Sequence, residues 1–296
     1  MFRMYRTEQA CGESGSLSLV DLWAKLIELT SSKITRKRFE ALVESTPKRI
    51  CFSSTHRNAL KPGPVSGPTG YFNVPFPETI KLLFPWDIFK NKFGYSRTVK
   101  TEVEYRSVQE WMDENRDVVF IKSLLDSCLA ACEHQDDKGR SDIGELEYRA
   151  KWHNDRHAEE RIADILISVF ERLLSDIGIS AVCAVPSSTP GSESLPTRLA
   201  ATLASRFSLN NITDRLKWRS KKDTIKDKEA SAKWQILEGV GLDIEGSLKG
   251  SRVLIVDDMY QSGATVHFLA SRLQEAGAAE VHCLAVSKSR GDKDNV

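Results

Sequence analysis

Two adjacent acids, a glycine and two hydroxyls lie close together near the C-terminal end of the chain, in Val253–Thr265 (VLIVDDMYQSGAT). Four aliphatic residues read as a buried strand, Asp257 and Asp258 follow, and a small polar turn leads into a helix. Ligands of parallel sheets sit beyond the carboxyl ends of the strands. A turn there points the backbone N–H groups of about Tyr260–Thr265 into a concave site at a helix N-terminus, where unpaired donors and the helix dipole suit a phosphate. Gly263 allows close approach of the anion and a positive φ. The hydroxyls of Ser262 and Thr265 add hydrogen bonds. Two carboxylates beside a phosphate make electrostatic sense if the ligand also presents a cation or vicinal hydroxyls. Asp257 and Asp258 could accept from a diol and hold Mg²⁺, directly or through its waters. Together these features describe a phosphorylated ribose.

The elements that must position this segment are regular. Ile162, Ile165, Leu166, Val169, Phe170, Leu173 and Leu174 form one apolar helical face. Ile179–Val185 reads as a short buried strand and Leu195–Phe207 as a helix with Pro196 near its start. Asn211–Trp218 reads as a strand and Ala230–Gly239 as a helix. Arg252–Val256 is a second buried strand, Thr265–Ala276 a helix capped by a left-handed Gly277, and Val281–Val286 a third strand. Helices alternating with apolar strands predict an α/β domain whose parallel sheet is covered on both faces.

The order hydrophobic strand, acidic pair, three residues, then [ST]-G-x-T resembles the signature of type I phosphoribosyltransferases, which bind 5-phosphoribosyl-1-pyrophosphate (PRPP). Ser262 stands where that family usually has Thr, and a hydroxyl is retained. The alternative is an unrelated doubly wound domain with a chance DD…SGAT. The resemblance extends upstream to about Ile179. Within the family the chain looks most like the ComF branch: a Val-Pro start after the first strand, an Ala-rich helix, a basic variable middle, and a strand-DD-GAT-helix-strand ending. The cysteine zinc ribbon that many ComF-like proteins carry at the N-terminus is missing. The resemblance implies a type I fold for the C-terminal half and Mg²⁺-dependent displacement of pyrophosphate from PRPP by a nitrogen nucleophile. It would make Asp257 and Asp258 the catalytic, ribose- and metal-binding pair. Met259, Tyr260, Gln261, Ser262, Gly263, Ala264 and Thr265 would hold the 5′-phosphate, and Ser187 and Ser188, after Val185-Pro186, would face the pyrophosphate. The acceptor is open. The family also implies a mobile basic loop. Lys217–Lys233, with Lys217, Arg219, Lys221, Lys222, Lys226, Lys228 and Lys233, is a candidate, against a solvated charged face or a contact with nucleic-acid phosphates. Some relatives bind without chemistry, so a non-catalytic PRPP or nucleotide sensor, or a DNA-processing or defence-associated protein of ComF type, is the rival expectation.

Residues 1–150 lie outside the resemblance and read as a mainly helical region of unknown role, followed by a phosphoribosyltransferase-like domain over 151–296. The stretch from Leu17 to Val43 reads as helices, a helical hairpin or, less simply, a helix-turn-helix. Residues 61–70 are a Pro/Gly-rich connector, and the aromatic-rich segment behind it (Phe72, Phe76, Phe84, Trp86, Phe89) is a packing arm or a cover over a site. Val118–Cys132 reads as an apolar helix, or a strand and then a helix. His153, Asp155 and His157, and Cys128, Cys132 and His134, invite metal readings but have the plainer reading of surface helix and buried thiols. The 296 residues are 41% hydrophobic and 28% charged with a formal net charge of +1, so no global field favours nucleic acid or an acidic membrane. A nucleic-acid or protein partner would have to meet a local patch in the N-terminal half. No apolar run approaches the roughly 20 residues that span a bilayer, and the first residues lack the apolar stretch of a signal peptide. The expected setting is the cytoplasm, without membrane association.

Overall fold

The structure, a computed structural model, describes residues 33–45, 51–53, 59–63, 69–74, 83–91, 94–137, 139–187, 193–221 and 228–289. Residues Ile34–Val296 form one compact unit. In chain order the helices are α1 (Arg36–Ser45), α2 (Glu102–Glu114), α3 (Asp142–Trp152), α4 (Arg156–Leu173), α5 (Leu195–Phe207), α6 (Ala230–Val240) and α7 (Ala264–Glu275). The strands before α3 are β1 (Cys51–Ser53), β2 (Leu60–Pro62), β3 (Gly70–Val74), β4 (Phe89–Asn91), β5 (Gly94–Val99), β6 (Val119–Ile121), β7 (Ser127–Glu133), β8 (Gln135–Asp136) and β9 (Gly139–Arg140). After it come β10 (Ala181–Ala184), β11 (Asn210–Asn211), β12 (Leu216–Trp218), β13 (Leu242–Ile244), β14 (Arg252–Tyr260) and β15 (Glu280–Lys288).

The central sheet has the order β1-β6-β7-β15-β14-β10-β11. From β7 to β11 all neighbours are parallel, and β6 and β1 add an antiparallel edge. This is the mixed α/β architecture with a mostly parallel sheet that the alternating pattern predicts. The strands alternate between two cores. Val182, Leu254, Val256, Leu284 and Val286 pack with Ile162, Leu166, Val169 and Leu173 of α4 and Leu199 and Leu203 of α5. Ala181, Val253, Ile255, Cys283 and Ala285 pack with Trp234 and Leu237 of α6, Leu269 and Leu273 of α7, and Phe39 of α1. Helix starts follow local chemistry: Asp155 accepts from Ala158 N at α4, and Ser194 from Thr197 N at α5, where Pro196 stands in the first turn.

One expectation is corrected. Val118–Cys132 contains no helix; it folds as β6 and the longer β7, because β15 offers a parallel partner across the register Cys283↔Cys128 to Lys288↔Glu133. The chain before residue 150 holds helices α1, α2 and most of α3 and also the nine strands β1–β9 among its described residues. Four of these form a separate antiparallel sheet of order β2-β3-β5-β4. Phe72 of that sheet stacks on Phe84 at 4.5 Å, and Trp111 of α2 meets Phe84 edge-on at 4.9 Å and Phe120 of β6 at 5.6 Å. Phe72 and Phe84 are therefore core, whereas Phe89 is 65% exposed and Phe76 lies outside the described residues. The first helix expected after Leu17 also lies outside them; the second is α1, whose Phe39 stacks on Trp234.

Candidate functional site

Val253, Leu254, Ile255 and Val256 are fully buried between β10 and β15, which fixes the direction and end of β14. The sequence predicts that the strand ends at Val256, but it continues through Asp257–Tyr260, paired Asp257↔Ala285, Met259↔Ser287 and Tyr260↔Lys288. The long β15 supplies the extra ladder partners. The backbone N–H groups of Asp258 and Met259 are also taken locally, by Asp257 Oδ1 at 3.0 Å and Asp258 Oδ1 at 2.7 Å. The turn is thus confined to Gln261–Gly263. Gly263 has φ +73° and caps α7. A Cβ there would overlap the buried Tyr260 ring, so the position demands glycine both for conformation and for space. Ser262, Gly263 and Ala264 are buried; Gln261 and Thr265 are half-buried.

The two carboxylates diverge. Asp258 faces α3, where Lys151 Nζ lies 2.7 Å from its Oδ2 and 3.3 Å from Glu147 Oε1. Burial alone would lower the Lys151 pKa, but Asp258 and Glu147 together raise it, so the amine is a resident cation. Glu147 is itself buried and accepts from Ser287 Oγ at 2.6 Å, with His134 Nδ1 at 3.2 Å. Asp257 instead acts on Tyr260 and the Cys283 thiol, in the core under α6 and α7, where burial raises the Tyr260 pKa and a hydrogen bond with Cys128, together with burial, raises that of Cys283. One Mg²⁺ chelated directly by both carboxylates does not fit this divergence. An ion held by one carboxylate, its waters and the oxygens of a ligand does fit, and is the usual manner of Mg²⁺ beside phosphates. Among the described residues no three acids, histidines or cysteines cluster as a metal site.

The parallel register Ala184↔Val256 brings the end of β10 beside the acids. Val185 N donates to Val256 O at 3.1 Å, and Trp218 Nε1 donates to Pro186 O at 3.1 Å, which anchors the chain just before Ser187. Ser187 is half-buried there; Ser188 lies outside the described residues. Beneath the turn, His267 is fully buried. Its Nδ1 lies 2.9 Å from Gly263 O, and its Nε2 accepts from Leu124 N at 3.1 Å. Beside it, Lys233 of α6, 2% exposed, donates to Ser262 Oγ at 3.3 Å.

Residues 162–296 match the family model described as phosphoribosyl transferase domain. Similar solved structures include a hypoxanthine phosphoribosyltransferase from Staphylococcus aureus, at 16% identity over 45% of this chain and 69% of that one, with a TM-score of 0.31. An adenine phosphoribosyltransferase from Thermoanaerobacter pseudethanolicus matches at 16% identity over 46% and 83%, with a TM-score of 0.31. The adenine phosphoribosyltransferase from Leishmania tarentolae matches at 11% over 57% and 94%, with a TM-score of 0.35. No curated protein matches the chain in sequence.

The matched segment does not contain all the charged groups around its acidic pair. Glu147, Lys151 and His134 precede the matched residues; sequence reasoning missed Glu147 and Lys151 and considered His134 only with Cys128 and Cys132. The spacing of Glu147 and Lys151 marks an i,i+4 pair, but nothing local says that it faces Asp258. His267 and Lys233 were also missed as contributors to the turn. His267 carries the only hint, an imidazole on the apolar face of a helix. In the basic segment, Lys217 pairs with Glu245 and Arg219 with Asp243 beside the antiparallel pair β12–β13, and residues 222–227 lie outside the described ones. The histidine pair near Asp155 has ordinary structural neighbours: Asp155 caps α4 and pairs with Arg149 at 2.5 Å.

Proposed function

We propose that the chain binds PRPP at the carboxyl edge of β14 and transfers its phosphoribosyl group to a nitrogen acceptor. The observation that supports this most directly is the sequence of parts along one strand: an acidic pair, a turn forced to glycine, and the N-terminus of α7, all within a phosphoribosyl transferase domain. In this reading Asp258, with Asp257, accepts hydrogen bonds from the ribose hydroxyls. The Gln261–Thr265 segment, together with Met259 and Tyr260 at the strand end, cradles the 5′-phosphate, and Ser187 and Ser188 face the pyrophosphate. The acceptor nitrogen's lone pair forms the bond to C1 as the C1–oxygen bond breaks, pyrophosphate leaves with that electron pair, and the nitrogen's proton passes to solvent. Mg²⁺, when bound, neutralises the departing pyrophosphate. The protein's share is orientation of the sugar and preorganised donors.

The described residues between Ile34 and Ala150 would supply the cover on the acceptor side, since β7 joins the sheet beside β15 and α3 brings Lys151 to Asp258. A protein or nucleic-acid partner of this region belongs to the same proposal, as does a cytoplasmic setting. Among the described residues no helix is long and apolar enough to cross a membrane. The ComF-like assignment rests on Val185-Pro186 after β10 and the alanine-rich α5. A second reading, binding without transfer in a regulatory, DNA-processing or defence role, is favoured by one observation: a protein cation already sits on Asp258.

The test is calorimetric titration of the full chain with PRPP and Mg²⁺, followed by measurement of pyrophosphate release with a panel of bases. Binding with release from at least one base is expected, and Asp258→Asn should abolish both. Binding without release from any base would favour the second reading. No binding at all would overturn both.

A further inference from the structure

We propose that Lys233 is a positioning residue for phosphate capture: it turns the Ser262 hydroxyl into a dedicated donor and places a positive charge behind the turn. The inference rests on the reading that the turn holds a phosphate monoester.

Helix α6 is docked so that Lys233 reaches this place. Trp234, its neighbour, meets Phe268 of α7 edge-on at 5.6 Å and stacks on Phe39 at 5.3 Å, which fixes α6 against the helix that starts at the turn. Lys233 is 2% exposed and Ser262 is 8% exposed. The ammonium has three N–H donors and no acceptor, so in the Lys233–Ser262 bond at 3.3 Å the serine oxygen must accept. The same oxygen accepts from Ala264 N at 3.4 Å. A hydroxyl oxygen has two lone pairs, and both are engaged by these bonds. The serine proton is therefore directed away from both partners, free to be given to an anion seated on the turn. A serine without Lys233 behind it could rotate and present a lone pair to the phosphate instead, which would repel it.

Charge supports the same assignment. The Lys233 amine adds its charge to a glycine turn and a helix N-terminus. Beside a glycine turn and a helix N-terminus, the ligand that gains from it is an anion. A dianionic phosphate monoester fits better than a neutral group, because each hydrogen bond to a charged oxygen is stronger than its neutral counterpart.

The test uses ribose 5-phosphate, which has the monoester but not the pyrophosphate, and inorganic pyrophosphate as the control, each titrated into the full chain. Lys233→Met should weaken ribose 5-phosphate binding about tenfold, the scale of a charge-assisted hydrogen bond, and change pyrophosphate binding less than about twofold. Ser262→Ala should give a similar loss. The double variant should be no weaker than Lys233→Met alone, and Lys233→Arg should recover most of the affinity. Native-like binding by either single variant, or losses that multiply in the double variant, would overturn the role of Lys233. Should Lys233→Met fail to fold, Ser262→Ala and Lys233→Arg decide the matter: unchanged binding in the first, or a full loss in the second, sinks the proposal. Failure of the native chain to bind ribose 5-phosphate would instead overturn the phosphate reading, and this inference with it.

Discussion

Protonating His267 should unlock the turn and cost stability over a defined pH range. The imidazole is fully buried, and burial holds its pKa down at about 4, with the Gly263 carbonyl opposing the shift only in part. Its two bonds require the neutral form: Nδ1–H donates to Gly263 O, and the Nε2 lone pair accepts the Leu124 N–H. A proton on Nε2 would set N–H against N–H. In the unfolded chain the same side chain titrates at about 6.5. Between these two values the unfolded state binds more protons, so stability rises with pH. The His267 contribution is complete above about pH 6.5 and is lost as the pH falls towards 4. At about 1.4 kcal/mol per pH unit the full loss is about 3.5 kcal/mol, of which about 2.5 kcal/mol is gone by pH 4.5. Urea unfolding of the native chain and of His267→Asn, at pH 7.0, 5.5 and 4.5, isolates this group because the asparagine does not titrate. The native chain should be the more stable at pH 7, and its lead should shrink by about 2.5 kcal/mol at pH 4.5. A stability difference between the two proteins that stays constant across the three pH values would refute the reasoning.

Two further outcomes follow from the same site. Gly263→Ala combines a left-handed φ with overlap on the buried Tyr260 ring, and should destabilise by about 3 kcal/mol or more in urea unfolding. Tyr260→Phe should rescue it only in part, since the ring carbon also overlaps; a full rescue would place the cost in the hydroxyl alone. Lys151→Met leaves the buried Glu147 and the neighbouring Asp258 without their shared cation, and should cost about 3 kcal/mol at pH 7. Adding Glu147→Gln should return part of that loss in thermal or urea unfolding, whereas additive losses would show that the two residues do not act as a pair.

The parts legible in the sequence are those whose signals are local. The strand Val253–Val256, the helices α4 to α7 and the left-handed Gly277 at φ +103° follow from apolar periodicity, caps and a glycine at a fixed place, each contained within one element. The order of acids, glycine and hydroxyls pointed to a phosphorylated ligand for the same reason. The end of β14 was not legible. Aspartate is a poor strand residue, yet Asp257 and Asp258 extend the ladder because β15 is long enough to pair with them. Val118–Cys132 was ambiguous between helix and strand because a short apolar run has no decisive period; its partner β15 lies more than a hundred residues later.

The same distinction explains why the charged surroundings of the turn were missed. Leu124 and His267 are 143 residues apart, and Lys233 and Ser262 are 29 apart. No periodicity or cap connects such pairs. Each exists because two apolar surfaces were buried first: Trp234 and Phe268 bring α6 onto α7, and the β7–β15 ladder carries the Leu124 segment under the turn. In the proposed reading the motif selects the kind of ligand, while its affinity would depend on polar groups that arrive as passengers of core packing. A substitution such as Trp234→Ala, which touches no polar group of the turn, should release Lys233 from Ser262 and act on phosphate binding from behind the site. That coupling is what a self-contained loop would not show.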